Sequence, residues 1–328
     1  MTGKIESLLN EIEPPSGEGV FNVRRLESGS IFYAGRDPRG FATFLIETSD
    51  SGRTVPLKLA GIEASFSTPY RIIEASGSAS MQTLTAIICT NQEREVIAYF
   101  ANIMESLLPF LGRTPSTQRV AEIVRQLVEL FQKLRSPGRR SLAGLTGELN
   151  VIDAARDVAT AVRCWRTDSD ERFDFVASTL RLDVKASSGR QRIHEISFDQ
   201  ANPPVGTSAV IASIWIEAMA GGMSLSELLR SIEAKLAGQA NQILRLRTIV
   251  AATLGDSLPK AMQWCFDREL AISSICYFDA TAIPAIRPPL PSNVLSARFV
   301  SDLTGCSAID VAVWERGLSR EELGLLSA

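Results

Sequence analysis

Residues 172–185, RFDFVASTLRLDVK, read as a tight β-hairpin, and that reading constrains the chain more than any other stretch. Phe173 and Phe175 are the apolar positions of the first arm, and Asp174 sits between them on the opposite face. Ala177-Ser178-Thr179 supplies the small, polar residues of a turn. In the second arm Leu180, Leu182 and Val184 alternate with Arg181, Asp183 and Lys185. Successive strand side chains point to opposite faces, so Asp183 and Lys185 share one face, and a paired Asp174 joins them there. Cross-strand neighbours on one face lie about 5 Å apart at Cβ. Two carboxylates at that separation can hold one divalent ion, with the ammonium one pleat further on aimed at whatever the ion binds. An Asp-x-Lys taken alone has a plainer reading, a solvated strand face with a salt bridge.

What surrounds the hairpin shifts that balance. Upstream, residues 141–164 (SLAGLTGELNVIDAARDVATAVRC) read as one helix, with Leu142, Leu145, Leu149, Ile152, Ala159 and Val162 on its buried stripe. Glu148 falls beside that stripe. Gly144 and Gly147 each lower helix propensity by about 1 kcal/mol against Ala, and a close approach of the helix to a sheet is the simplest compensation. Downstream, residues 192–197 read as a third strand carrying His194, the chain's single histidine. Its plain role is a structural hydrogen bond; the functional alternative is phosphate contact, or positioning of the lysine side of the site. Residues 208–216 are Val/Ile-rich enough for a strand buried on both faces. A helix follows from Ser224, where Glu227 completes a capping box, and residues 240–254 form another.

The rest of the chain offers no competing chemistry. Residues 20–90 read as short strands separated by turn clusters. Helices are expected over 93–111 and from Thr114-Pro115-Ser116 to Leu134, with Pro137-Gly138 as the sharpest boundary. This divides the 328 residues into a β-rich domain ending in a helix (1–112), a core (113–240) and a C-terminal helical and strand extension (241–328). The five cysteines have no C-x-x-C spacing and, with one histidine, cannot complete a zinc set. The N-terminus lacks the apolar segment of a signal peptide and no apolar run approaches membrane-spanning length, so a cytoplasmic protein is expected. Net charge is −3 overall, but residues 113–200 are net +3 while the flanking regions are −4 and −2. The hairpin therefore lies in the only basic part of the chain, which is compatible with phosphate binding.

An ordered series now stands out: Gly144-Leu145-x-Gly147-Glu148-Leu149, Trp165, Phe173-Asp174-Phe175, Asp183-Val184-Lys185-Ala186-Ser187, and His194-x-Ile196-Ser197 with Gln200. It resembles the bacterial PD-(D/E)XK motif proteins, and Ile283-Pro284-x-Ile286 and Leu290-Pro291 extend the likeness into the tail. The resemblance implies a mixed α+β or α/β fold with a restriction-endonuclease-like core: a helix, a three-stranded antiparallel meander, then a further helix and strand. It implies a magnesium-dependent DNA endonuclease, with manganese as the substitute ion. Asp174, Asp183 and the Val184 carbonyl would ligate the metal, Glu148 would hold a metal water or second ion, and Lys185 would orient the attacking water or stabilise developing charge. Arg181, Arg190, Arg192, His194 and Gln200 would meet the nucleic acid. Such proteins occur in restriction or antiphage systems beside helicase-like and MutL-type ATPase subunits, the Mza-type systems among them. DNA, such subunits and a second copy of the chain are thus the expected associates, and a membrane is not. The rival reading is a nuclease-fold subunit that binds DNA or scaffolds without cutting. Two departures are visible. Asp183 stands where Glu is commoner, and Phe173 rather than Pro precedes Asp174. The Pro-rich stretch after Gln200 also leaves little room for the helix expected between the third and fourth strands.

Overall fold

The computed structural model describes residues 4–134, apart from positions 18, 28, 51, 53 and 60, together with residues 141–166 and 172–327. The Pro137-Gly138 boundary lies outside the described residues. The chain forms two compact units, residues 1–138 with 255–259 and residues 139–254 with 260–328. Residues 113–134 thus belong with the N-terminal unit, and nearly all of the C-terminal region belongs with the hairpin. Among the described residues no helix is long and apolar enough to cross a membrane.

The first unit opens with α1 (Lys4–Glu11), followed by β1 (Val20–Arg25), β2 (Phe32–Arg36), β3 (Ala42–Ile46), β4 (Leu57–Leu59), β5 (Ile62–Glu74) and β6 (Ala79–Cys89). The sheet runs β1-β2-β3-β6-β5, and β5 returns to pair in parallel with β1, which closes a five-stranded ring. Long β5 makes closure possible by pairing with β4 at its start and β1 at its end, bending at a bulge where Ser67 takes a left-handed φ of 45°. Phe21, Val23, Tyr33, Leu45, Ile72, Leu84, Ala86 and Ile88 fill its core. Helices α2 (Arg94–Leu111) and α3 (Thr117–Lys133) follow, α3 starting on the Ser116 cap.

The second unit holds α4 (Leu142–Ala154), α5 (Val158–Cys164), β7 (Phe175–Ala177), β8 (Leu180–Ser187), β9 (Ile193–Ser197), α6 (Phe198–Ala201), β10 (Ser208–Trp215), β11 (Ala218–Ser224), α7 (Leu225–Lys235) and α8 (Ala240–Leu254). After the single turn α9 (Leu258–Ala261) come β12 (Cys265–Phe266), α10 (Arg268–Ser273), β13 (Cys276–Asp279), β14 (Arg298–Asp302), α11 (Val311–Trp314) and α12 (Arg320–Gly324). The architecture is mixed α+β with several sheets. The hairpin is present, with a two-residue turn in which Ser178 adopts φ 48°.

Two expectations need correction. The helix expected over 141–164 is broken at Ala155-Arg156-Asp157, because the Asp157 carboxylate accepts from Thr160 N and caps a new helix. The three-stranded meander does not form either. Residues 193–197 are a strand, but β9 pairs with β14, and the neighbour of β8 opposite β7 is β10, in parallel. Burial explains the choice. β10 reads SAVIASIW and is covered on both faces, as a central strand must be, whereas β9 alternates exposed Ile193 and Glu195 with buried His194 and Ile196.

The sheet β13-β10-β8-β7 is covered on both sides. A Cβ at Gly147 would lie 3.1 Å from Ala186 Cβ and 3.1 Å from Ile214 Cγ2, so α4 packs on the face presenting Val184 and Ala186. The close approach expected at Gly147 is real. On the opposite face, that of Asp183, Lys185 and Ser213, lie the β9–β14 ribbon, the single turn α6 and the first part of the C-terminal tail. Their shared core is Phe173, Ile196, Ala209, Ile211, Phe278, Ile283 and Leu303.

Candidate functional site

Ladder pairing between β7 and β8 ends at Phe175↔Leu182, while β8 runs on to Ser187. Past that point the β7-side edge of β8 is open to side chains. The Asp174 carboxylate fills the first position, its Oδ2 accepting from Val184 N at 2.7 Å. This open edge lets groups from both sheet faces meet. Glu148, from the helix on one face, and Asp183 and Lys185, pointing to the other, all line one cleft of about 1000 Å³ with Asp174, Val184 and Gln200.

Three carboxylates gathered this closely need counter-charge, and the chain supplies it. Glu148 is buried; its Oε1 accepts from Arg166 Nη2 at 2.8 Å and its Oε2 from Trp165 Nε1 at 2.7 Å. The same Arg166 nitrogen also contacts Asp174 Oδ1, and Arg166 N donates to the Asp174 carbonyl at 2.9 Å. Asp183 Oδ2 lies 2.9 Å from Lys185 Nζ, and its Oδ1 accepts from Gln200 Nε2 at 2.7 Å. Gln200 ties this half together. Its Oε1 accepts from Lys185 Nζ at 3.2 Å and from Ser197 N at 3.0 Å, the second bond closing the capping box of α6. The glutamine is thus oriented by secondary structure before it touches either charged group.

The proposed nucleic-acid residues fare unequally. Gln200 lines the cleft; Arg181, Arg190, Arg192 and His194 do not. Arg192 is buried, donates to the Ser213 and Ser274 carbonyls and to Ser213 Oγ, and stacks over Trp215 with its guanidinium carbon 4.8 Å from the ring centroid. It is a structural cation. His194 is buried as well, its Nε2 2.7 Å from Ser213 Oγ, which takes it away from direct phosphate contact. Burial, then the positive charges of Lys185 and Arg192, push its imidazole down to about 4 against the opposing pull of Asp302. Arg181 folds back onto the Ser178 and Leu180 carbonyls of the turn, and exposed Arg190 faces Glu217 at 3.8 Å. Among the described residues the cations that reach the cleft are Lys185, Arg166, Arg172 and Arg298. Of these the sequence reading had only Lys185. Arg166 follows Trp165, which belongs to the ordered series, and that adjacency was the available signal.

The donor set suits a hard divalent cation in kind, since carboxylates from helix and hairpin line a single cleft. It is not a ready cage. Among the described residues no three such side chains come together around one point as metal ligands would. Glu148 and Asp174 are drawn onto Arg166, and Asp183 onto Lys185.

A helix-borne Glu, an Asp immediately before the first hairpin strand and an Asp-x-Lys around one cleft of a mixed α+β unit define the class as a PD-(D/E)XK-type protein. The chain belongs to that family: the family model described as "Putative PD-(D/E)XK family member, (DUF4420)" matches residues 5–304. No curated protein and no solved structure matches the chain.

Proposed function

We propose that this cleft hydrolyses DNA phosphodiesters with magnesium, manganese substituting, as the cutting subunit of a bacterial restriction or antiphage complex. The observation that supports the reading most is the meeting of Glu148, Asp174, Asp183 and Lys185 at the open edge of β8. Asp174, Asp183 and the Val184 carbonyl would hold the magnesium ion, with Glu148 holding a metal water or a second ion, and the bound ion would supply Lewis-acid activation of phosphate and water. The chain's own residues do the rest. Lys185, aimed by Asp183 and Gln200, stabilises charge developing on the phosphate. Its ammonium acts as an electrostatic group, held 2.9 Å from Asp183 Oδ2. Arg172 and Arg298 at the cleft are the cations for flanking phosphates. The segment that carries the site, residues 113–200, is only net +3, so nonspecific DNA affinity is weak and productive cutting draws on ATPase or helicase-like subunits. Plasmid cleavage with and without magnesium and such subunits, for wild type and Lys185→Ala, tests the reading. Magnesium-dependent nicking lost in Lys185→Ala supports it, and cleavage unaffected by that substitution sinks it.

One observation favours a second reading, a DNA-binding or scaffolding subunit: the acids already hold protein cations. DNA retention without cleavage under every metal and subunit condition would select it.

A further inference from the structure

We propose that Arg166 is the protein's own counter-cation for the metal site, so that a divalent ion and its guanidinium compete for Glu148 and Asp174 and the ion loads only as Arg166 withdraws. The inference rests on the metal-site reading above and adds a gate to it.

One terminal nitrogen, Nη2, serves both acids, reaching Glu148 Oε1 at 2.8 Å and also Asp174 Oδ1. A single positive centre between two carboxylates is what a bridging metal ion also provides. The second oxygen of each acid is on a fixed donor, Trp165 Nε1 for Glu148 and Val184 N for Asp174, both at 2.7 Å. The carboxylates are therefore held in place whichever cation lies between them. All three side chains are less than a tenth exposed, so their attraction is little screened, and guanidinium beside a divalent ion would repel it with equally little screening. Charge points the same way. Glu148, Asp174 and Asp183 bring −3 and Arg166 and Lys185 return +2, which leaves room for one more positive charge but not comfortably two.

The backbone also separates the exchange from unfolding. Trp165 is bridged to Phe175, and Arg166 N is bonded to the Asp174 carbonyl, so residue 166 is pinned to the hairpin. Withdrawal needs rotation of a long side chain and no movement of a strand. Arg166 lines the cleft, so the displaced guanidinium has space to enter, where it would add a cation facing bound phosphate.

The test is direct metal binding by the full chain, using Mn²⁺ followed by calorimetry and by loss of the free-ion electron paramagnetic resonance signal, for wild type, Arg166→Gln and Arg166→Lys. Arg166→Gln should bind Mn²⁺ at least tenfold more tightly than wild type, with Arg166→Lys between them because one charge is kept. Without metal Arg166→Gln should melt below wild type, and Mn²⁺ should raise its melting temperature by more than it raises that of wild type. A purely structural arginine would give the first melting effect and not the second. If Arg166→Gln does not fold without metal, refolding it with and without Mn²⁺ replaces the melting test: recovery only with Mn²⁺ supports competition, and no recovery in either case overturns it. Equal or weaker affinity in Arg166→Gln overturns the competition and leaves the metal reading intact. No Mn²⁺ binding by any of the three proteins overturns both.

Discussion

Asp183 and Lys185 are adjacent teeth of one strand, yet removing each should do different things. Asp183 is 2 % exposed and lies between Lys185 and Gln200, so its charge is matched inside the protein. Asp183→Asn leaves the Lys185 ammonium without its acid and should cost stability, about 1–3 kcal/mol once the partial exposure of the lysine is allowed for. Relief of repulsion among the three acids does not offset this, because each acid already has a cation or donor. Metal affinity and cleavage should fall together. Lys185→Ala should keep Mn²⁺ binding in calorimetry while cleavage drops roughly 10²–10³-fold, the typical effect of losing one preorganised contact to developing charge. Full activity in both variants would reduce the pair to an ordinary salt bridge. His194 has a different signature. Its folded pKa is pushed down to about 4, below the ordinary value of about 6.5. The unfolded chain therefore takes up a proton between those values that the folded chain refuses. The stability linked to neutral His194 is complete above about pH 6.5 and is lost as pH falls toward 4. Melting temperatures of wild type and His194→Gln from pH 7.5 to 4 should show wild type declining more steeply across that window; parallel curves would refute the assignment.

Elements separate what local pattern dictates from what it does not. The second arm of the hairpin was legible because its alternation lies within a few consecutive residues, and the structure keeps Asp183 and Lys185 on one face and Leu182 and Val184 on the other. The first arm departs from the expectation, since β7 begins only at Phe175, Asp174 sits at the edge of β8 rather than paired on the Asp183 face, and Phe173 packs into the core on that face. The buried strand β10 and the capping-box start of α7 were legible for the same reason. The break between α4 and α5 was hidden by apolar periodicity running through it, although Asp157 three residues before Thr160 is a cap signal. The position of β9 was not legible at all. Its mate β14 lies about a hundred residues further on, and nothing in 193–197 names it. Gly147 shows pattern and packing agreeing. Alanine there gains about 1 kcal/mol of helix propensity, but its Cβ meets two side-chain carbons at 3.1 Å, and overpacking costs about 1–3 kcal/mol. Gly147→Ala should shift the denaturation midpoint only slightly, and Gly147→Val should lower it steeply, since its two extra methyls have no space between α4, Ala186 and Ile214. A Val variant as stable as wild type would mean that α4 does not rest on β8.

At the scale of the whole molecule, the C-terminal tail is what completes the hairpin unit. β13 is an edge of the main sheet, β14 pairs with β9, and Ser296, Ala297 and Arg298 line the cleft. The last link is Glu322 in α12. Its Oε1 accepts from Thr179 N at 3.1 Å, Thr179 Oγ1 at 2.7 Å and Leu180 N at 3.1 Å, across more than 140 residues of sequence. Thr179 follows the left-handed Ser178 of the turn, so one carboxylate fixes the tip from which the Phe175↔Leu182 register, and with it the placement of Asp174 on Val184 N, is set. Burial alone would raise the Glu322 pKa; the backbone and hydroxyl donors of Ser319 and Thr179 outweigh it and hold the carboxyl below its ordinary range. Stability linked to its charge is thus complete above about pH 4.5 and is lost as pH falls through the depressed folded value. Glu322→Ala leaves two buried-side amides without an acceptor and should cost about 2–3 kcal/mol at neutral pH. Because the site depends on hairpin register, the loss should appear locally first. Amide hydrogen exchange at Thr179 and Leu180 should accelerate more than exchange in the ring of the first unit, and Mn²⁺ affinity should fall although residue 322 is not in the cleft. Glu322→Gln retains one acceptor oxygen and should lie between the two. Unchanged exchange at the turn in Glu322→Ala would show that the hairpin holds its register unaided, and the tail would then serve the sheet and the cleft wall alone.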